Sequence, residues 1–257
     1  MLLERRSGGV VILTLNNPER RNALDPALTQ ALRDVAGELR GDRSARCIVL
    51  TGAGTAFCSG ADLGVLKAQV TAGPMARRDR LSDFYRVFLD IRQLPMPVIA
   101  AINGAAIGAG LNLALCCDIR IAARSARFGA TFVRLGIHPG GGATHLLTRL
   151  MGPALAAELL LAGGLVDAER ALSLRLVNRV VDDADVVDAA VALAATIASN
   201  SPQAVRATKR TLAVAVDASF AATLEVEALA QAITQESGDA TEGWEAFQQK
   251  RAPNFDD

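Results

Sequence analysis

Pro97-Val98-Ile99-Ala100-Ala101-Ile102-Asn103-Gly104-Ala105-Ala106-Ile107-Gly108-Ala109-Gly110 is the stretch that decides the fold. An apolar run of strand length ends at an Asn-Gly turn, and an alanine- and glycine-rich helix then runs towards Cys117. An uninterrupted apolar strand feeding a helix reads as a strand buried on both faces of a parallel sheet. The same order recurs upstream. Val10 to Leu15 is β-branched and short, and it stops at Asn16-Asn17-Pro18. Asp25-Pro26 supplies an N-cap and a first-turn proline, and Leu28, Leu32, Val35 and Leu39 repeat at helical spacing until Gly41. Cys47 to Leu50 is another strand, closed by Thr51-Gly52-Ala53-Gly54, and Ile119 to Ala122 leads to a glycine-rich loop from Gly136 to Gly142. Strands alternating with helices predict a parallel-rich α/β core. After about Asp183 glycine and proline become sparse and alanine dominates, so successive helices are expected to Gln249, with turns near Ser201-Pro202 and Gly238. The expected organisation is a core over residues 1–183 and a helical region over 184–257 that packs on the core or on a neighbouring subunit.

The chain has 257 residues, 51% apolar, 21% charged and 4% aromatic, which is ample for a sizeable buried core. Its 27 basic and 27 acidic residues balance, which argues against a nucleic-acid partner while leaving room for a few local cations on one phosphorylated ligand. No apolar run approaches a membrane span, and the start MLLERRSGG has no leader-like apolar stretch, so no membrane is expected and the expected compartment is the cytoplasm. Cys47, Cys58, Cys116 and Cys117 read as small core residues in a reducing compartment.

Several motifs fail on spacing. Gly104 to Gly110 has the order G-x-x-x-G-x-G, and the residues about 20 further on, Ala126 to Phe132, include no acid to hold a ribose. There is no G-x-x-x-x-G-K-[ST] phosphate loop. Ser59 is flanked by Phe57 and Ala61 where a nucleophile elbow needs glycine. The two histidines, His138 and His145, have no accompanying cysteine, and no metal site is expected.

Two segments share a design. Ser59-Gly60-Ala61-Asp62-Leu63 and Gly108-Ala109-Gly110-Leu111 each run from a strand through small residues into the first turn of a helix. Small residues let a ligand approach the backbone, and helix N-termini leave N–H groups unpaired. Two such groups converging on one point make an oxyanion hole, worth about 10²–10³ in rate per donor. Close helix–strand packing would select the same small residues.

Asn17-Pro18-Glu19-Arg20-Arg21-Asn22-Ala23-Leu24, Thr55 to Leu63, Pro97 to Gly104, Gly108-Ala109-Gly110, Cys117-Asp118 and Gly140-Gly141-Gly142 together resemble the crotonase (enoyl-CoA hydratase/isomerase) family. Phe247, Lys250-Arg251 and Phe255 match that family's last helix and tail, so the resemblance spans nearly the whole chain in order. It implies an α/β spiral of repeated ββα units with a helical C-terminal extension, assembled as a homotrimer or hexamer. It also implies fatty-acid-type metabolism of an acyl-CoA whose thioester oxygen sits between two backbone N–H groups, with no cofactor beyond the coenzyme A of the substrate. Those donors fall on Ala61 and Ala109, the latter where the family usually has glycine. Coenzyme A contacts fall on Arg21, Ala23, Ala61 and Leu63, and on Phe247 and Lys250 reaching an adjacent subunit. Read without the resemblance, Lys250 is a solvated cation in a helix's last turn and Phe247 ordinary core packing.

The chain departs from the family's hydratases at both usual glutamates. Asn112 stands at the first position and Phe132 at the second. Neither exchanges a proton near neutral pH, and each lost acid–base group forfeits about 10²–10⁴ in rate. Ordinary two-glutamate hydration is therefore not expected. His138 is the first candidate for a relocated acid–base group, against a role in capping the following helix or holding its loop. Asp62 reads as a helix cap, Lys67 as a solvated charge and Tyr85 as a packing residue on the segment from 64 to 93 that covers the acyl chain in relatives. Arg134 pairs with a substrate carboxylate or with Asp118 or Asp62, and His145 reads as structural or exposed. Two functions stand side by side: an enzyme that stabilises an enolate of an acyl-CoA, and a protein that binds acyl-CoA without turning it over.

Overall fold

The computed structural model describes residues 2–62, 64, 67 and 73–255. Two sheets share the chain. Strands β1 (Leu2–Ser7), β2 (Val10–Leu15), β3 (Cys47–Gly52), β5 (Val98–Ile102), β7 (Ile119–Ala123) and β10 (Arg179–Val181) lie side by side in that order. Strands β4 (Ala56–Cys58), β6 (Ala105–Ile107), β8 (Arg127–Gly129) and β9 (Leu165–Asp167) form the second sheet, again in chain order. Pairing is parallel except between β1 and β2 and between β8 and β9.

The chain visits the two sheets in turn. β3 enters the first and β4 the second, before helix α2 (Pro74–Arg92). β5 and β6 repeat this before α3 (Ala109–Cys116), and β7 and β8 repeat it before α4 (Ala143–Ala162). Three ββα turns thus stack into the expected spiral. Every residue of β3 and of β5 is buried, as an apolar strand covered on both faces requires. Helix α1 (Pro26–Gly41) lays Leu28, Leu32, Val35, Ala36 and Leu39 on the core, each large side chain contributing about 1.5–3 kcal/mol of burial. The Asp25 carboxylate accepts the Leu28 N–H at 2.8 Å and caps that helix.

Three features lay outside the sequence expectations. β1, in the stretch read only for a leader, is an exposed edge strand on β2. β6 precedes α3, where a helix was expected to follow the Asn103-Gly104 turn directly. Helix α4, 20 residues long, passes the length and apolarity of a membrane span, against the expectation that no run does. It is interrupted by non-helical backbone at Gly152, before Pro153, and buries Ala143, Leu146, Leu147, Ala156, Leu159 and Leu160 in the protein.

The chain closes through α5 (Ala168–Ser173), α6 (Val186–Ala198), α7 (Pro202–Ala215), α8 (Phe220–Gln235) and α9 (Gly238–Gln249). Ser201, Ser219 and Ser237 cap the last three through their side-chain oxygens. The turn before α8 was not anticipated. Polar side chains anchor these helices: Lys209 Nζ reaches Asp118 at 2.7 Å and the Met96 carbonyl at 2.9 Å, and Arg206 donates to the carbonyls of Arg43 and Ala45 at 3.1 and 3.2 Å.

Candidate active site

The loop before α1 and the strand end after β4 are stitched together by their backbones. Ser59 N–H donates to the Arg21 carbonyl at 2.9 Å, Leu24 N–H to the Gly60 carbonyl at 2.8 Å, and Asp62 N–H to the Leu24 carbonyl at 3.3 Å. This parallel bridge between Leu24 and Ala61 uses the groups on either side of Ala61, so the Ala61 N–H itself faces away from Leu24. What holds the loop in this shape is Asn22, which the sequence analysis did not single out. Its fully buried side chain accepts the Asn17 N–H at 2.9 Å and donates to the carbonyls of Ala53 and Ala56 at 2.9 and 2.8 Å. Arg21 and Asn22 both adopt left-handed backbone (φ 50° and 55°), and an asparagine three residues before the Asp25 cap is the signal of this in the sequence.

The second strand-to-helix turn lies directly against the first. A β-carbon on Gly60 would come 2.9 Å from the Ile107 carbonyl oxygen and 3.7 Å from the Ala109 nitrogen. One on Gly110 would come 2.1 Å from the Cys58 carbonyl oxygen, so only glycine lets α3 sit this close to β4. Gly108 at the helix start has no side chain to cap the first turn. Among the described residues, no hydrogen-bond acceptor is recorded for the Ala61 or the Ala109 N–H. The two expected donors therefore meet at one pair of backbone turns. A cavity of about 230 Å³ adjoins Ala61, with Leu24, Thr29, Arg33, Asp62 and Phe84 in its lining.

Asn112 and Phe132 flank the same helix start. Asn112, one turn into α3, is 1% exposed and donates its Nδ2 to the Gly140 carbonyl at 2.7 Å. Its Oδ1 is buried and has no hydrogen-bond partner among the described residues. Phe132 lies in the 3-10 turn Thr131–Leu135, with its ring tip 3.9 Å from where a β-carbon on Gly108 would be. Tyr85 on α2 brings its hydroxyl against Gly140 and packs in a cluster with Phe84 and Phe88. Burial raises its phenol above the ordinary value, so the hydroxyl stays protonated. Cys58, in the strand under α3, is pushed up to about 12 by burial and presents no thiolate.

Asp62 is buried, accepts the Gly64 N–H at 2.7 Å and pairs with Arg20 at 2.5 Å, which is the capping role expected of it with an added ion pair. Arg134 is exposed and makes neither expected carboxylate pair: Asp62 is with Arg20, and Asp118 binds Lys209 and the Val98 N–H. His138 is exposed on the loop before α4, and His145 and Lys67 are exposed. Ala23 is buried and Arg21 is exposed. Leu63 lies outside the described residues. Phe247 is 86% exposed, which corrects its reading as core packing: α9 turns that face away from the spiral. Lys250 is exposed too, but as the left-handed residue that ends α9 (φ 53°) rather than within its last turn. Among the described residues no three potential metal ligands converge.

The enoyl-CoA hydratase/isomerase family model matches residues 5–257. A probable enoyl-CoA hydratase of Mycobacterium tuberculosis is 46% identical over 203 residues, 79% of this chain and 77% of that protein. The 1,2-epoxyphenylacetyl-CoA isomerase of Escherichia coli is 37% identical over 255 residues, 99% of this chain and 97% of that one. The crystal structure of an enoyl-CoA hydratase from Bacillus anthracis superposes with a TM-score of 0.93 at 36% identity, covering 99% of this chain and 98% of its own. A two-sheet spiral with paired strand-to-helix turns, matched along its length by model, sequence and structure alike, belongs to the enoyl-CoA hydratase/isomerase (crotonase) family.

Proposed function

We propose that this chain is an enzyme of acyl-CoA thioesters that polarises the thioester carbonyl with the Ala61 and Ala109 N–H groups and stabilises the enolate that follows. The observation that carries it is the meeting of these two backbone donors, both without a recorded protein acceptor, across Gly60 and Gly110. Alanine in place of glycine at 109 keeps the N–H, and the added methyl is accommodated with the residue still buried.

The coenzyme A moiety runs along Arg21, Ala23, Ala61 and Leu63. Asn112 and Phe132 line the acyl end, so two-glutamate hydration is not the reaction. Deprotonation or protonation at the α-carbon then falls to another group, and His138 is the candidate. An imidazole nitrogen can both accept and donate a proton, and the His138 loop borders the glycine turn that Asn112 holds. No bound cofactor enters the reaction beyond the coenzyme A of the substrate.

The C-terminal region from 184 serves assembly. Phe220, Leu229, Ile233, Trp244 and Phe247 are exposed on its helices, an apolar face that a trimer or hexamer would cover. Phe247 and Lys250 would then reach the coenzyme A of an adjacent subunit.

The second reading, an acyl-CoA binder without turnover, is favoured by the loss of both acid–base slots at Asn112 and Phe132. Incubation with saturated and α,β-unsaturated acyl-CoAs in D₂O, followed by mass spectrometry, decides between them. Deuterium at the α-carbon is the expected result, and tight binding with no mass change across the panel would overturn the enzyme. His138→Ala is expected to abolish exchange and leave acyl-CoA binding in place; unchanged exchange removes His138 from the mechanism.

A further inference from the structure

Asn103 stands in the turn between β5 and β6, and its side chain reaches across to the segment that leads from β3 into β4. Its Oδ1 accepts the Gly52 N–H at 3.1 Å, and its Nδ2 donates to the Gly54 carbonyl at 2.9 Å, with the Ala56 carbonyl next at 3.5 Å. A backbone donor at one end of the amide and carbonyls at the other fix its orientation. Asn22 grips the same segment through the carbonyls of Ala53 and Ala56 at 2.9 and 2.8 Å. Two glycines close on it as well. A β-carbon on Gly52 would come 2.3 Å from the Ala56 oxygen, and one on Gly104 would come 2.1 Å from the Thr55 oxygen.

This clamp sits at the entry to an irregular ladder. β4 and β6 pair in parallel with Ala56 opposite Ala105 and Cys58 opposite Ala106, so β4 takes two residues where β6 takes one. The extra residue is Phe57, which is fully buried. Bulges are uncommon between parallel strands and tend to lie beside functional sites. Here the bulge bears on the two backbone donors. Ala61 follows Ala56 by five residues, whereas Ala109 follows Ala105 by four. Continued past the bulge, the ladder brings Ala61 level with Ala109; without the extra residue, Gly60 would stand there and its side of the strand would be reversed. The closeness of Gly60 to the Ile107 carbonyl fits the bulged register.

We infer that Asn103 is a positioning residue: by pinning the Gly54-to-Ala56 backbone to the turn that leads into β6, it fixes the Phe57 bulge and so sets the Ala61 N–H level with the Ala109 N–H. One side chain thereby links both strand-to-helix turns, since it belongs to the strand pair that runs to Ala109 and holds the segment that runs to Ala61. This deepens the acyl-CoA reading proposed above and rests on it. Two donors serve one oxygen only within hydrogen-bond reach of it, and a displacement of about 1 Å can cost about 10² in rate.

The test is the infrared carbonyl stretch of butyryl-CoA, isotope-labelled at its thioester carbonyl and read at saturation on the full chain. Wild type is expected to lower the stretch relative to free ligand, because both donors polarise the bond. Asn103→Ala is expected to retain about half of that lowering or less, as one donor leaves the oxygen. Full wild-type lowering in the saturated variant overturns the inference however far its melting temperature falls, since a merely structural asparagine costs stability without moving the carbonyl. If Asn103→Ala does not fold, Asn103→Asp, which keeps the shape and the Gly52 contact but loses the donation to Gly54, is read in the same way. Failure of both to fold overturns positioning in favour of a role in folding alone. Wild type by itself reports on the acyl-CoA reading: no binding, or binding with an unshifted carbonyl, sinks that reading and this inference together, whereas a shift that the variants leave intact sinks only the role of Asn103.

Discussion

The ββα spiral and the C-terminal helices are built from similarly apolar sequence and bury it very differently. In the spiral, β3 and β5 are buried at every residue, because each lies between neighbouring strands and under helices. In α8 no residue is buried, and Phe220 stands 80% exposed. The helices from α7 onward hold to the spiral through long cationic side chains on carbonyls and carboxylates, such as Lys209 on Asp118 and Arg149 on Asp217 at 2.6 Å. Such contacts fix orientation while burying little apolar area. The lesson is that the spiral completes its core within one chain, whereas the C-terminal helices carry an apolar face that one chain does not cover.

The sharpest way to break this comparison is inside the spiral. Gly110→Ala puts a methyl 2.1 Å from the Cys58 carbonyl oxygen, where backbone meets backbone and nothing flexible can yield. A loss of about 3 kcal/mol in urea denaturation is expected, together with loss of acyl-CoA binding. Asn22→Ala comes next. It strips three hydrogen bonds from the backbone, the one to the Ala56 carbonyl buried, and asks alanine to hold φ 55°, so about 2 kcal/mol should be lost and coenzyme A affinity with it. Tolerance of either change would mean that the two turns are looser than their geometry indicates.

Phe247→Ser sharpens the other side. With 86% of the residue exposed, unfolding free energy should move by about 0.5 kcal/mol or less, while sedimentation velocity should report weaker self-association. A marked loss of stability in the isolated subunit would instead restore the side chain to a core.

The smallest effect is electrostatic and touches both regions. The Arg6 guanidinium holds Asp42 down to about 2, and Arg251 does the same for Glu242. A carboxylate depressed on folding binds fewer protons folded than unfolded. Its contribution is therefore present above the unfolded value near 4, shrinks as pH falls towards about 2, and is gone below that. Arg6→Ala and Arg251→Ala should each flatten the acid limb of a stability–pH curve slightly, since both pairs are at the surface.

Where signals were local, the elements were legible. Val10 to Leu15 and the Asp25-capped helix ending at Gly41 appear with the bounds read from their residues, because turn residues, N-cap and periodicity act over a few positions. β6 was missed because three residues, Ala105 to Ile107, carry too little pattern to separate a short strand from the helix that follows. β1 was missed because an edge strand mostly exposed to solvent has no core face to show alternation. The residues of the proposed site, Ala61, Ala109, Asn112 and Phe132, were picked out by motif order. Asn22 was not, since its role depends on carbonyls 31 and 34 residues away.

By itself the sequence determined the alternation of strand and helix, the small residues at two helix starts, and the neutral side chains at 112 and 132. These are properties of residue type and short spacing, which the chain carries wherever it folds. Tertiary structure alone decided that Gly60 and Gly110 bring the two starts together, and that Asn112 spends its N–H on Gly140 and keeps an unmatched oxygen. It also decided that Phe247 faces outward. Each of these is set by where distant backbone ends up, and the orientation of a hydrogen-bonding group is defined only by the partner it meets.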